Sequence, residues 1–124
     1  MGTELGVRIV LFVAMAGSGV LLAWSAQAAA SGKLKRNPIV GIRIASTMAS
    51  DEAWLAAHMR AKRPTMLAAA AATATGLCAL FPLPAPVIAA VALTGAIVML
   101  VCVLFAARVG RQAANTVAQQ SGIS

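Results

Sequence analysis

"FPLPAP", residues 81–86, interrupts the longest charge-free run of this 124-residue chain, and its reading decides the fold. From Pro64 to Ala107 there is no Asp, Glu, Lys or Arg. As one helix, those 44 residues would reach roughly 66 Å, about twice the hydrocarbon thickness of a bilayer. Three prolines in six residues cannot continue a helix. Each lacks an amide hydrogen and biases the residue before it toward extended backbone. The run therefore folds back at 81–86 into two apolar segments, near 64–81 and 87–109. Ile9 to Gly32 is also free of charge and supplies an earlier segment near 5–29. The expected fold is an all-α membrane protein. It has three transmembrane helices and a short amphipathic cytoplasmic helix between the first and second. Residues 1–111 form a single membrane domain, and 112–124 a polar tail.

Composition supports this class. Hydrophobic residues make up 60% of the chain and charged residues 10%, against about 25% charged in ordinary soluble domains. The net charge of +7 suggests nucleic acid until the basic residues are placed. Seven of the ten lie between the first two segments: Lys33, Lys35, Arg36, Arg43, Arg60, Lys62 and Arg63. Arg108 and Arg111 lie at the end of the third segment and beyond, and only Arg8 lies at the N-terminal end of the first. Basic residues mark cytoplasmic flanks. The 31–63 loop and the C-terminus are expected in the cytoplasm of a bacterial inner-membrane protein, with the N-terminus and the proline turn outside. No nucleic-acid partner is expected. A cleaved leader over 1–28, ending at "SAQA", is disfavoured because the basic flank follows the apolar run instead of preceding it.

The segments are rich in small residues: Gly17 and Gly19 in the first, Ala68, Ala72 and Gly76 in the second, Ala85, Ala89, Ala92 and Ala96 in the third. Small residues let helix backbones approach closely in lipid. Such faces either close a compact bundle or dock a second copy or another membrane subunit. No ionisable residue lies mid-membrane, which argues against an ion-coupled transporter. Cys78 and Cys102 fall at different depths along their helices, too far apart for a disulfide.

The polar information is concentrated in "GIRIASTMASDEAWLAAH", residues 41–58. Pro38 holds Asn37 out of helical geometry, and 39–46 reads as an apolar strip around Arg43. Ser50 suits an N-cap, and Asp51 and Glu52 suit the first turn of a helix over 51–63. Arg60, Lys62 and Arg63 suit its last turn. Trp54, Ala57, His58 and Ala61 share one face of that helix. The expected arrangement is a polar clasp, with Arg43 paired to Glu52 or Asp51 and His58 hydrogen-bonded nearby. A titrating, pH-sensing His58 is an alternative. One His without paired Cys makes no metal set, and Asp51 and His58 stand about 10 Å apart along the helix. Catalysis, metal and cofactors are not expected.

The residues Asn37, Pro38, Gly41, Arg43, Thr47, Ser50, Glu52, Trp54 and His58, followed by two apolar segments, resemble the signature of the SdpI family of small bacterial membrane proteins. Ile44 and Ala45 stand where that family often carries Thr-Pro. The resemblance implies a non-enzymatic protein acting in immunity to a secreted, membrane-active toxin peptide and in signalling. It would do so through a cytoplasmic partner-binding loop comprising Asn37, Gly41, Arg43, Thr47, Ser50, Asp51, Glu52, Trp54 and His58. The partners implied are the lipid bilayer and another membrane or cytoplasmic protein. The alternative is a small accessory subunit of a larger transporter or cell-envelope complex.

Overall fold

The computed structural model describes residues 2–120; the tail's last four residues, 121–124, lie outside the described residues. Four helices follow in order: α1 (Gly2–Ala30), α2 (Ala45–Met48), α3 (Asp51–Cys78) and α4 (Ala85–Gln120). No strand occurs among the described residues. α3 is the central element, with α1 packed on one side and α4 on the other.

Among the described residues two helices are long and apolar enough to cross a membrane, Glu4–Ala30 and Ala85–Gln120. The expectation of three such helices is met only to that extent. The reason lies in α3. Its first half carries Asp51, Glu52, Arg60, Lys62 and Arg63, and its charge-free remainder, residues 64–78, is rich in Ala and Thr. Fifteen residues give roughly 22 Å of helix, short of a bilayer core.

A second correction concerns Pro64. Separate helices were expected over 51–63 and from 64 onward, but α3 runs unbroken through Pro64. A proline removes only its own amide bond and crowds the carbonyl four residues before it. Burial of Ala57 and Ala61 before it and Ala68 and Ala69 after it holds both halves in one line. α4 likewise runs past 109 to Gln120, so most of the polar tail is helical. Its continuation is held by burial of Gly110 and Ala114. Ala114 clusters with Ala53 and Ala57 of α3.

Glycines sit where helix backbones meet. A methyl on Gly76 would lie 2.7 Å from the Ala16 amide nitrogen of α1, and one on Gly19 would lie 2.7 Å from the Ala69 carbonyl oxygen of α3. Gly95 of α4 abuts the side chain of Thr75. Gly17 meets nothing. Ala85, Ala89 and Ala96 are exposed, so that stripe is not the packed face of α4. The buried residues there are Ile88, Gly95, Ala106, Gly110 and Ala114.

The proline turn closes one end. α3 finishes in tight turns, with Ala79, Leu80 and Phe81 amides donating to Gly76, Leu77 and Cys78 carbonyls. The Pro84 carbonyl accepts from the Val87 and Ile88 amides and starts α4. Arg8 of α1 donates to the Phe81 carbonyl at 2.9 Å and the Leu83 carbonyl at 2.5 Å. The turn thus lies beside the N-terminal end of α1. Cys78 and Cys102 are free thiols.

Candidate functional site

The other end of the molecule is built by the 31–50 segment folded against the first two turns of α3. α1 ends at Ala30; Gly32 just beyond it has a φ of +83°, the left-handed geometry that follows a helix C-terminus, and the Leu34 amide returns to the Ala28 carbonyl at 2.9 Å. Asn37 then organises the next turn alone. Its Oδ1 accepts from the Ile39 and Val40 amides at 3.0 and 2.7 Å. Its Nδ2 donates to the Lys35 and Val40 carbonyls at 2.8 and 3.1 Å. A side-chain amide used on both ends mimics backbone turn bonding.

Gly41 has φ of +107° and packs against the aromatic pair of α3. A methyl there would stand 2.6 Å from the Trp54 ring and 2.8 Å from His58 Nε2. Two requirements therefore converge on glycine, the backbone angle and the close approach. The next residue makes the central contact. The Ile42 amide donates to His58 Nε2 at 2.8 Å. A backbone amide can only donate, so Nε2 is unprotonated. His58 Nδ1 then carries the hydrogen and donates to the Trp54 carbonyl at 2.8 Å. His58 is buried and stacks obliquely on Trp54, ring centroids 4.1 Å apart. Burial lowers its pKa below the ordinary 6.5, and the bond to the Trp54 carbonyl opposes that shift.

Thr47, fully buried in the one-turn helix α2, directs its single hydroxyl hydrogen to the Ile42 carbonyl at 2.6 Å, with the Ile44 carbonyl beside it at 3.0 Å, and accepts from the Ile44 amide at 3.1 Å. Ser50 caps α3 by accepting from the Ala53 amide at 3.0 Å. The Trp54 indole donates to the Leu34 carbonyl at 2.9 Å, tying α3 to the end of α1.

The motif residues accordingly divide. Asn37, Gly41, Thr47, Ser50, Trp54 and His58 spend their polar groups or their small size on holding the loop. Asp51 is exposed and pairs with Arg36 at 2.8 Å; Arg36 also donates to the Met48 carbonyl at 2.8 Å. This corrects the expected clasp: Arg36, not Arg43, holds the acid. Arg43 and Glu52 are exposed and make no ion pair or side-chain hydrogen bond among the described residues. The pairing of Arg36 was missed because nothing in sequence spacing links it to Asp51; the path of the loop brings them together.

Behind Ile42 and His58 lies a small cavity of about 140 Å³ between α1, α3 and α4. Its walls are mostly apolar, and the hydroxyls of Ser25 and Thr65 on them bond to their own helix carbonyls. Among the described residues no three His, Cys, Asp or Glu side chains gather as a metal site. The arrangement offers no assembled nucleophile and base. Its exposed charged side chains include Arg36, Arg43, Asp51 and Glu52. A family model described as the SdpI/YfhL protein family matches residues 33–109, from Lys33 just after α1 through most of α4. No curated protein and no solved structure gives a match.

Proposed function

The chain belongs to the SdpI/YfhL protein family, and from that membership we propose a non-enzymatic, multi-pass membrane protein that presents the 41–58 loop to a protein partner, in toxin-peptide immunity and signalling. The observation that carries the partner surface is the division of the motif. Six residues hold the loop in one shape, and Arg43 and Glu52 are left exposed upon it. A loop held in one shape by most of its other polar side chains is pre-organised for recognition.

Connectivity supports three crossings. α1 runs from the turn end, where Arg8 meets Leu83, to the loop end at Gly32. α4 starts again at the turn end. If α1 and α4 both cross, the chain between them must return, and α3 is the element that lies along that path. Its short apolar half is flanked on the loop side by Arg60, Lys62 and Arg63, whose long stems reach headgroup depth. The same charge distribution favours a cytoplasmic loop and C-terminus.

A photo-crosslinking residue placed at position 43 in native membranes tests the reading, with one at position 115 as control. The expected result is a discrete protein adduct from position 43 alone. Adducts only to lipid or to the chain itself would overturn the partner surface. Stoichiometric retention in a large membrane complex after mild solubilisation would replace it with an accessory-subunit role.

A further inference from the structure

We propose that the contact between the Ile42 amide and His58 Nε2 is an acid-released latch: protonation of the imidazole frees the 39–48 segment from α3 and changes the surface the loop presents. The geometry permits only one protonation state. Nε2 accepts from Ile42 at 2.8 Å, and Nδ1 donates to the Trp54 carbonyl at 2.8 Å. A second proton must go on Nε2, which then faces the Ile42 amide hydrogen as donor against donor. The bond is lost, and the Gly41 backbone packed on both rings loses its fit.

No neighbouring charge rescues the protonated form. The residues of α1, the loop and α4 that line the cavity beside the imidazole, namely Leu22, Ser25, Ala26, Gly41, Val103 and Ala106, carry no ionisable group. On α3 itself the face beside His58 is Trp54, Ala61 and Thr65. Asp51 is engaged by Arg36 at the start of α3. Burial holds the imidazole pKa below 6.5, so the latch is closed at neutral pH.

Release alters what the loop exposes. Ile42 anchors the strip that bears Arg43, and its carbonyl accepts from Thr47. Opening therefore frees the Arg43 backbone from its fixed place against α3 and unroofs the 140 Å³ cavity that Gly41 and Ile42 line. The trigger rests on the cytoplasmic placement proposed above: there, proton entry through a breached membrane is the event that would open the latch.

The test uses the full chain, without a histidine tag, in lipid nanodiscs. His58 is the only histidine, so the nitrogen shifts of labelled imidazole report this site alone. Hydrogen exchange of the 39–48 segment is read in parallel, as protection relative to an unstructured peptide at the same pH. The expected result is the Nδ1–H tautomer at neutral pH, a midpoint below 6.5, and protection falling up to about tenfold per pH unit below 6.5 until that midpoint is passed. His58→Gln keeps an acceptor that cannot titrate, and its protection is expected to stay constant from pH 7.5 to 5. Constant protection in the natural chain over that range overturns the latch, as does equal loss in His58→Gln. No partner is present in this experiment, so its failure leaves the partner-surface reading standing.

Discussion

The Arg8 guanidinium on the second turn of α1 donates to the Leu83 carbonyl, 75 residues away, and to Phe81 beside it. The Phe81 carbonyl also accepts from the Leu83 amide at 2.8 Å, and the prolines on either side of Leu83 provide no amides of their own. The contact ties the only basic residue of the first segment to the fold-back between α3 and α4. Arg8→Ala removes two partly solvated, charge-assisted bonds. It is expected to lower stability by about 1–2 kcal/mol, given the net worth of such bonds and their exposure. Equilibrium unfolding in mixed micelles measures this. An unchanged midpoint would mean that the turn needs no such tie.

Gly32 and Gly41 both have positive φ, yet only Gly41 is crowded. Gly32→Ala meets open space and is expected to cost about 1–2 kcal/mol, the left-handed strain alone. Gly41→Ala adds a methyl 2.6 Å from the Trp54 ring. It should cost more and also lower the loop's protease resistance. Equal effects of the two substitutions would deny the packing of Gly41 on Trp54 and His58.

Adjacent hydroxyls in α2 are expected to behave oppositely. Thr47 is fully buried, and its hydroxyl donates to the Ile42 carbonyl and accepts from the Ile44 amide. Thr47→Val keeps its shape and leaves the Ile42 carbonyl and the Ile44 amide without that partner, while the Ile44 carbonyl keeps the Met48 amide; the expected cost is about 1–3 kcal/mol. Ser46 Oγ is buried without a hydrogen-bond partner among the described residues. Ser46→Ala removes that burden and is expected to be neutral or mildly stabilising. Thermal unfolding of the pair settles the contrast, and a larger loss for Ser46→Ala would refute it.

Stability should also depend on pH through His58. Its folded pKa is depressed by burial, so the unfolded chain binds the proton more readily. The contribution is fully present above about 6.5 and is lost as pH falls through the folded value. The unfolding midpoint of the natural chain should fall between pH 7 and 5, and that of His58→Gln should fall less. Parallel curves for the two would place the acid sensitivity elsewhere.

Much of the outline was legible because it rests on local chemistry. "FPLPAP" had to turn, the charge-free runs had to be helices, and Ser50 before Asp51 and Glu52 had to start one. The motif residues could be picked out, but not their duties. Trp54 reaches Leu34, Arg36 reaches Asp51, and Ile42 reaches His58. These partners lie 15 to 20 positions apart, across an irregular loop with no period to carry the signal. The one-turn α2 was hidden for the same reason. Pro64 misled because the local rule for proline is strong, whereas the packing that overrides it comes from other helices. The length of α4 was missed because "QAANTVAQQ" is polar, and its support, Gly110 and Ala114 against α3, is tertiary.

The number of crossings yields to labelling. With Cys78 and Cys102 replaced by Ala, single cysteines are introduced as Lys35→Cys in the loop, Pro82→Cys in the turn and Gln119→Cys near the end of α4. An impermeant maleimide on intact cells is expected to modify only the Pro82→Cys chain, and permeabilisation should expose the other two. The argument is topological. Arg8 holds the turn beside the start of α1, so a helix pair that crosses on either side of α3 forces the loop and the turn onto opposite faces. If Lys35→Cys and Pro82→Cys label from the same side, α3 does not cross. Its Ala-rich half would then lie along the membrane surface, and the 41–58 loop would no longer be separated from the turn by the bilayer.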